Sequence, residues 1–125
     1  MKQIIYTPKA PEPIGPYSQA ILVGNTLYTS GQIALDPETG VLKTEEIKSE
    51  TQLVMTHLQT LLKEAGMDFS HVIKCSIFIK DMGQFAQINE VYGSFFNENP
   101  PARETVEVAR LPKDVNVEIS CVAVK

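Results

Sequence analysis

An arginine and a glutamate in the last quarter of the chain are the residues best placed to do chemistry. Arg103 and Glu118 sit in two apolar, strand-like runs on either side of Leu111-Pro112-Lys113-Asp114, within the segment P-P-A-R-E-T-V-E-V-A-R-L-P-K-D-V-N-V-E-I. A guanidinium grips a carboxylate through two parallel, charge-assisted hydrogen bonds. A half-buried glutamate exchanges protons near neutral pH, because desolvation raises its pKa. The pair therefore suggests a site for a small carboxylate-bearing molecule that is protonated, deprotonated or hydrated. The alternation of apolar and polar residues also suits a merely solvated hairpin face.

Read as a hairpin with Arg110 opposite Val115, the two runs bring Val106 to Ile119 and Val108 to Val117, a coherent apolar face. The opposite face then carries Arg103, Thr105, Glu107, Asn116, Glu118 and Ser120. In this register Glu107 opposes Glu118, and Arg103 lies roughly 13 Å from Glu118 between backbones. Their tips either converge on one small molecule or face different clefts completed by neighbouring subunits.

Positioning such residues takes a scaffold, and its elements are legible. Gln3–Tyr6 reads as a short strand, and Thr7–Pro16 as an extended, proline-rich arm. Ser18–Val23 and Leu27–Ile33 read as strands joined at Gly24-Asn25, followed by a turn at Asp36–Gly40. Ile47, Val54, Leu58, Leu61, Leu62 and Ala65 recur at helical spacing within Thr44–Gly66. Thr44 is the expected cap, Glu45 and Glu46 suit the positive end, and Gly66 the stop. Val72–Lys80 reads as a strand with Ile73, Cys75, Ile77 and Ile79 on one face, and Val72 and Phe78 on the other. Asp81 with Gln84 suggests a capping box for a second helix faced by Phe85, Ile88, Tyr92, Phe95 and Phe96, which ends at Pro100-Pro101.

The order is three strands, helix, strand, helix, two strands, an α+β arrangement over 1–125 as one domain. Right-handed crossovers place both helices on one sheet face. The other face is left uncovered, and a homo-oligomer that packs sheet faces together is expected.

Composition narrows the function classes. The 125 residues are 43% hydrophobic and 21% charged, the balance of an ordinary globular chain. A formal net charge of −4 argues against sequence-independent nucleic-acid binding, which needs a basic footprint. No apolar run is long enough for a signal peptide or a membrane span, so a cytoplasmic protein is expected.

Other chemistries find little support. Cys75 and Cys121 lie in apolar runs and read as small core residues. His57 and His71 are isolated, with no zinc spacing, and read as helix-surface and loop residues. No phosphate-binding loop or nucleophile elbow is present. Gly15-Pro16-Tyr17-Ser18 is a rigid turn that places an aromatic hydroxyl, and Ser30-Gly31-Gln32 puts a glycine where backbones approach closely. Asn89, one step from the second helix's apolar face, reads as a surface residue when taken alone.

The segments I-G-P-Y-S-Q (14–19), Y-T-S-G-Q (28–32), F-I-K-D-M (78–82) and P-A-R-E-T-V-E-V-A-R-L-P-K-D-V-N-V-E-I (101–119) together resemble the RidA family, the reactive intermediate deaminases also called YjgF. The resemblance runs nearly end to end. It implies a chorismate-mutase-like fold, with one mixed sheet of about six strands and two helices on one face, assembled as a homotrimer with clefts between subunits. It also implies cofactor-free, metal-free hydrolysis of enamines and imines, such as 2-aminoacrylate and 2-iminobutanoate, to 2-keto acids and ammonia. Arg103 matches the arginine that binds the substrate carboxylate, and Glu118 the acid that positions or activates water. Tyr17, Ser30, Gly31 and Asn89 match the pocket lining. Thr105 stands where cysteine is frequent, which excludes thiol-based regulation there but leaves its backbone able to contact substrate. Glu104 stands where a small residue is usual, and the hairpin register turns it away from Arg103. The alternatives are a small-carboxylate-sensing regulatory trimer and, with less support, an RNA-cleaving translation inhibitor.

Overall fold

The computed structural model describes residues 1–125. Six strands form one mixed sheet: β1 (Lys2–Ile5), β2 (Ala20–Val23), β3 (Thr26–Thr29), β4 (Val72–Ile79), β5 (Ala102–Glu107) and β6 (Val117–Val124). Their spatial order is β1-β2-β3-β6-β4-β5. Two helices, α1 (Ile47–Glu64) and α2 (Phe85–Gly93), complete the α+β architecture.

The first hairpin forms at Gly24-Asn25, where Gly24 takes a left-handed φ of 60°. Helix α1 starts at Ile47, where its apolar spacing begins, with its cap two residues later than expected. Its cap is Glu46, whose carboxylate accepts from the Lys48 N–H at 2.7 Å, rather than Thr44. It stops at Ala65, and Gly66 follows with a φ of 74° as the C′ residue. Asp81 accepts from the Gly83 N–H and opens a short 3₁₀ turn, Met82–Gln84, that runs into α2; the Gln84 side chain makes no cap bond there.

The C-terminal hairpin does not form. Strand β5 pairs in parallel with β4, β6 pairs antiparallel with β4 on its other edge, and the two outer strands never meet. The reason is the crossover: β4, α2 and β5 make a strand-helix-strand unit that returns β5 alongside β4. The link 108–116 then passes over the end of β4, where the Val108 N–H donates to the Ile79 carbonyl and the Lys80 N–H to the Asn116 carbonyl. Leu111 and Val115 bury their side chains along this path. Glu107 therefore lies beside Ile79, where it accepts from the Met82 N–H, and does not oppose Glu118.

A bulge between Val72 and Lys74 exchanges the faces at the start of β4. Val72 joins Cys75, Ile77 and Ile79 in the core, while Ile73 is exposed. The core lies between this sheet face and the helices, with Val54, Leu58, Leu62, Ile88, Val117 and Ile119. Each large aliphatic buried there contributes about 1.5–3 kcal/mol. His57, expected on the surface, is buried in this layer, with Nε2 2.8 Å from the Leu35 carbonyl; burial pushes its pKa below the ordinary histidine value. Both cysteines are buried and free, as expected, and burial raises both thiols, Cys121 to about 12.

The other sheet face is uncovered. Ile4, Val23, Tyr28 and Val106 stand exposed on it.

Candidate functional site

The sheet separates the two residues singled out by the sequence. Arg103 is the register partner of Cys75, a core-face residue, so its side chain leaves on the helix side. Glu118 is the partner of Phe78 and alternates with buried Val117 and Ile119, so its carboxyl leaves on the open side. The common face inferred from a hairpin is therefore wrong, because its premise, direct pairing of the two runs, fails. Of the two arrangements the spacing allowed, different clefts is the one observed.

On the helix side, α2 supplies the setting of Arg103. Its Nη1 donates to Asn89 Oδ1 at 2.7 Å. The guanidinium carbon lies 5.6 Å from the Phe85 ring centroid and 5.1 Å from that of Tyr92, within cation–π range. These contacts hold the guanidinium without neutralising it, since no carboxylate lies within 4.0 Å. Tyr92, Pro100, Pro101 and Arg103 line an open cleft of about 360 Å³. Thr105 follows on the same face, beside Ile77, and its hydroxyl is buried without a partner, as is that of Tyr92. Glu104 turns the other way, as expected, onto Lys74 (Nζ–Oε1 2.8 Å) and the Ser76 hydroxyl.

On the open side, Ile14, Tyr17, Ser30, Gly31, Ile33, Pro112 and Glu118 line a second cleft of about 340 Å³. Gly31 lies two residues past the end of β3, just before Gln32 bridges to Ile119. A Cβ at Gly31 would lie 2.5 Å from Glu118 Oε2 and 2.6 Å from Cδ, so the carboxyl rests against a bare backbone. The close approach read from Ser30-Gly31-Gln32 is real, and Glu118 is the group that approaches. The Ser30 hydroxyl donates to the Ser18 carbonyl at 2.6 Å, and the Tyr17 hydroxyl accepts from the Ile14 N–H at 3.3 Å. The proline-rich arm is tied to the sheet by buried Gln19, which accepts from the Thr7 N–H and donates to the carbonyls of Thr7, Ala10 and Pro11. Burial alone raises the Glu118 carboxyl above the ordinary value.

The chain thus carries a guanidinium with no carboxylate beside it in one cleft and a half-buried carboxyl in another, on opposite faces of one sheet. No cluster of metal-ligating side chains is present. Sequence reasoning missed Phe85, Tyr92 and the Pro100-Pro101 wall. The apolar periodicity of α2 assigned its rings to packing alone, which is only half of what they do.

The family model described as Endoribonuclease L-PSP matches residues 7–125. This chain belongs to that family, and with it to RidA. It is similar to a RutC family protein of Pyrococcus abyssi, 49% identical over 124 residues, which cover 99% of this chain and 98% of that one. It is 42% identical over 125 residues to the human 2-iminobutanoate/2-iminopropanoate deaminase, covering 100% of this chain and 91% of that one. The crystal structure of E. coli TdcF with bound serine superimposes with a TM-score of 0.94 at 41% identity, covering 98% of each chain. No helix is long and apolar enough to cross a membrane.

Proposed function

We propose that the protein is a cofactor-free hydrolytic deaminase of small 2-imino and enamine acids. Its working site would be formed where the Arg103 cleft of one subunit meets the Glu118 cleft of another in a homotrimer. The observation that carries the reading is the burial-raised carboxyl of Glu118, seated on Gly31 in a cleft with apolar walls. Three others support it: the unneutralised guanidinium of Arg103, the exposed apolar residues of the open sheet face, and the deaminase name of the human relative. The serine held by the TdcF relative is a carboxylate of the size expected here.

In this reading Arg103 holds the substrate carboxylate by a bidentate, charge-assisted pair. The enamine takes a proton from water at its terminal carbon and gives one up from nitrogen, becoming the imine, electrophilic at C2. Ionised Glu118 accepts a proton from water as the water oxygen bonds to C2, giving a tetrahedral carbinolamine. Glu118 returns that proton to nitrogen; the C2 hydroxyl proton then also passes to nitrogen as the C–N bond breaks, releasing ammonia and the keto acid and leaving Glu118 ionised. Orientation of water and imine supplies much of the rate, with no covalent enzyme intermediate. Tyr17, Ser30, Gly31, Asn89 and Thr105 would line or support the pocket.

The test couples a threonine-dehydrating enzyme to the protein at limiting buffer amine and follows release of 2-ketobutyrate. Wild type should accelerate release, and Arg103→Ala should not while still assembling. No acceleration by wild type would overturn the reading and favour a carboxylate-sensing trimer.

A further inference from the structure

Glu50 is the one fully buried carboxylate of the chain, and the chemistry above makes no use of it. It lies in the first turn of α1, where the positive end of the helix dipole offsets its charge. Its two oxygens accept from one residue: Oε2 from the Asn116 N–H at 2.8 Å, and Oε1 from Asn116 Nδ2 at 2.7 Å. Asn116 Nδ2 also lies 3.5 Å from the Thr44 carbonyl, and the Asn116 carbonyl accepts from the Lys80 N–H at 3.0 Å. The N–H, the carbonyl and the side-chain NH2 of Asn116 are thereby committed, tying the start of α1 and the end of β4 to the residue just before β6.

Asn116 stands between two pieces of the Glu118 cleft: Pro112, one of its walls, and Glu118 itself. The intervening turn is strained. Lys113 and Asp114 both take left-handed φ angles, 55° and 57°, without being glycine. Such residues persist only where their surroundings hold them. Arg110 grips Asp114 from the solvent side (Nε–Oδ1 2.7 Å, Nη2–Oδ2 3.2 Å), an exposed pair that holds weakly. The firm anchor is the buried one.

We infer that Glu50 is a positioning residue for Glu118, clamping Asn116 so that the Pro112 wall and the Glu118 carboxyl keep their mutual geometry. Glu50 touches no substrate and acts through Asn116; as a role in catalysis this rests on the deaminase reading. Glu50→Ala removes both acceptors, whereas Glu50→Gln keeps one for the backbone N–H. In the assembled protein, Glu50→Ala should lower kcat about tenfold or more, because a misplacement of an ångström costs up to about a hundredfold. KM should stay within about twofold, because the carboxylate grip lies on the other sheet face. Glu50→Gln should recover most of the loss.

A carboxyl carbon-13 titration of Glu118 supplies a readout independent of turnover. Its midpoint should fall toward the ordinary carboxylate value in Glu50→Ala, as the cleft loosens and water enters. If wild type hydrolyses no imine, the deaminase reading fails, and this midpoint alone decides the clamp. An unmoved midpoint in folded Glu50→Ala overturns the inference. So does a kcat that holds in an active enzyme while the midpoint moves, or equal losses in the Ala and Gln variants. Should Glu50→Ala fail to fold, Asn116→Ala takes its place, with about a threefold loss of kcat and a lowered midpoint expected; no change in either overturns it.

Discussion

The surroundings of Arg103 and Glu118 differ in almost every physical respect. Arg103 is on an edge strand, exposed, stacked on two rings and hydrogen-bonded to Asn89. Glu118 is on an interior strand, half-buried, against a glycine, with burial raising its carboxyl above the ordinary value. A residue that must hold an anion gains from a fixed, charged donor and needs no shift of its own pKa. A residue that must take and return a proton near neutrality gains from desolvation. The edge of the sheet suits the first task and its middle the second.

Breaking the middle should cost most. Glu118→Gln removes the proton acceptor and should lower kcat about a hundred- to ten-thousandfold, the range for general acid–base groups, with KM little changed, in the coupled keto-acid assay. Breaking the edge should act on binding. Arg103→Ala should raise KM by about ten- to a hundredfold or more and push turnover below detection at limiting substrate, with the oligomer unchanged by sedimentation. Gly31→Ala tests the contact that seats the carboxyl. Its Cβ would require Glu118 to move, so kcat should fall by about tenfold or more, measured beside an unaltered circular dichroism spectrum.

The contrast sharpens with pH. Activity requires ionised Glu118, so kcat should fall on the acid side with a midpoint above 4.5, the ordinary glutamate value, because the native pKa is raised. Stability runs the other way. A carboxyl with a raised native pKa binds more protons folded than unfolded, so its contribution falls as pH rises from 4.5 through the native value. Glu118→Gln should therefore raise Tm at pH 8 by a few degrees and leave it nearly unchanged at pH 4, which thermal melts at the two pH values would show. Arg103→Ala, which removes no half-buried carboxyl, should give no such pair of effects.

Much of this was legible in the sequence, and what was lost shares a cause. Helix α1 could be read because Val54, Leu58, Leu61 and Leu62 repeat at a spacing only a helix presents on one side. The approach of a group to Gly31 was legible because glycine is the residue such a contact demands. The identity of that group was not, since Glu118 lies far along the chain. The supposed C-terminal hairpin failed for the same reason: alternation in 102–107 and 117–124 fixes which residues share a face within each strand, but not which strand lies between them. The bulge at Val72 reversed an assignment by one residue, and His57 was taken for a surface residue on its polarity, though it neighbours Leu58 on the buried side of α1. Glu50 carried no signal, because a glutamate in the first turn of a helix is ordinary. Local rhythm reports elements; the partners of those elements are tertiary facts.

Strand β6 is made after the other five strands and takes its place between β3 and β4. During synthesis the earlier strands must wait, two of them with facing edges unpaired, until residues 117–124 emerge to join them. A ribosome that stops short of these residues releases a chain whose sheet is in two unlinked halves, with Leu27 on one edge and Ile77 on the other deprived of the strand that pairs with both. The glutamate that would do the chemistry thus arrives on the strand whose insertion closes the sheet.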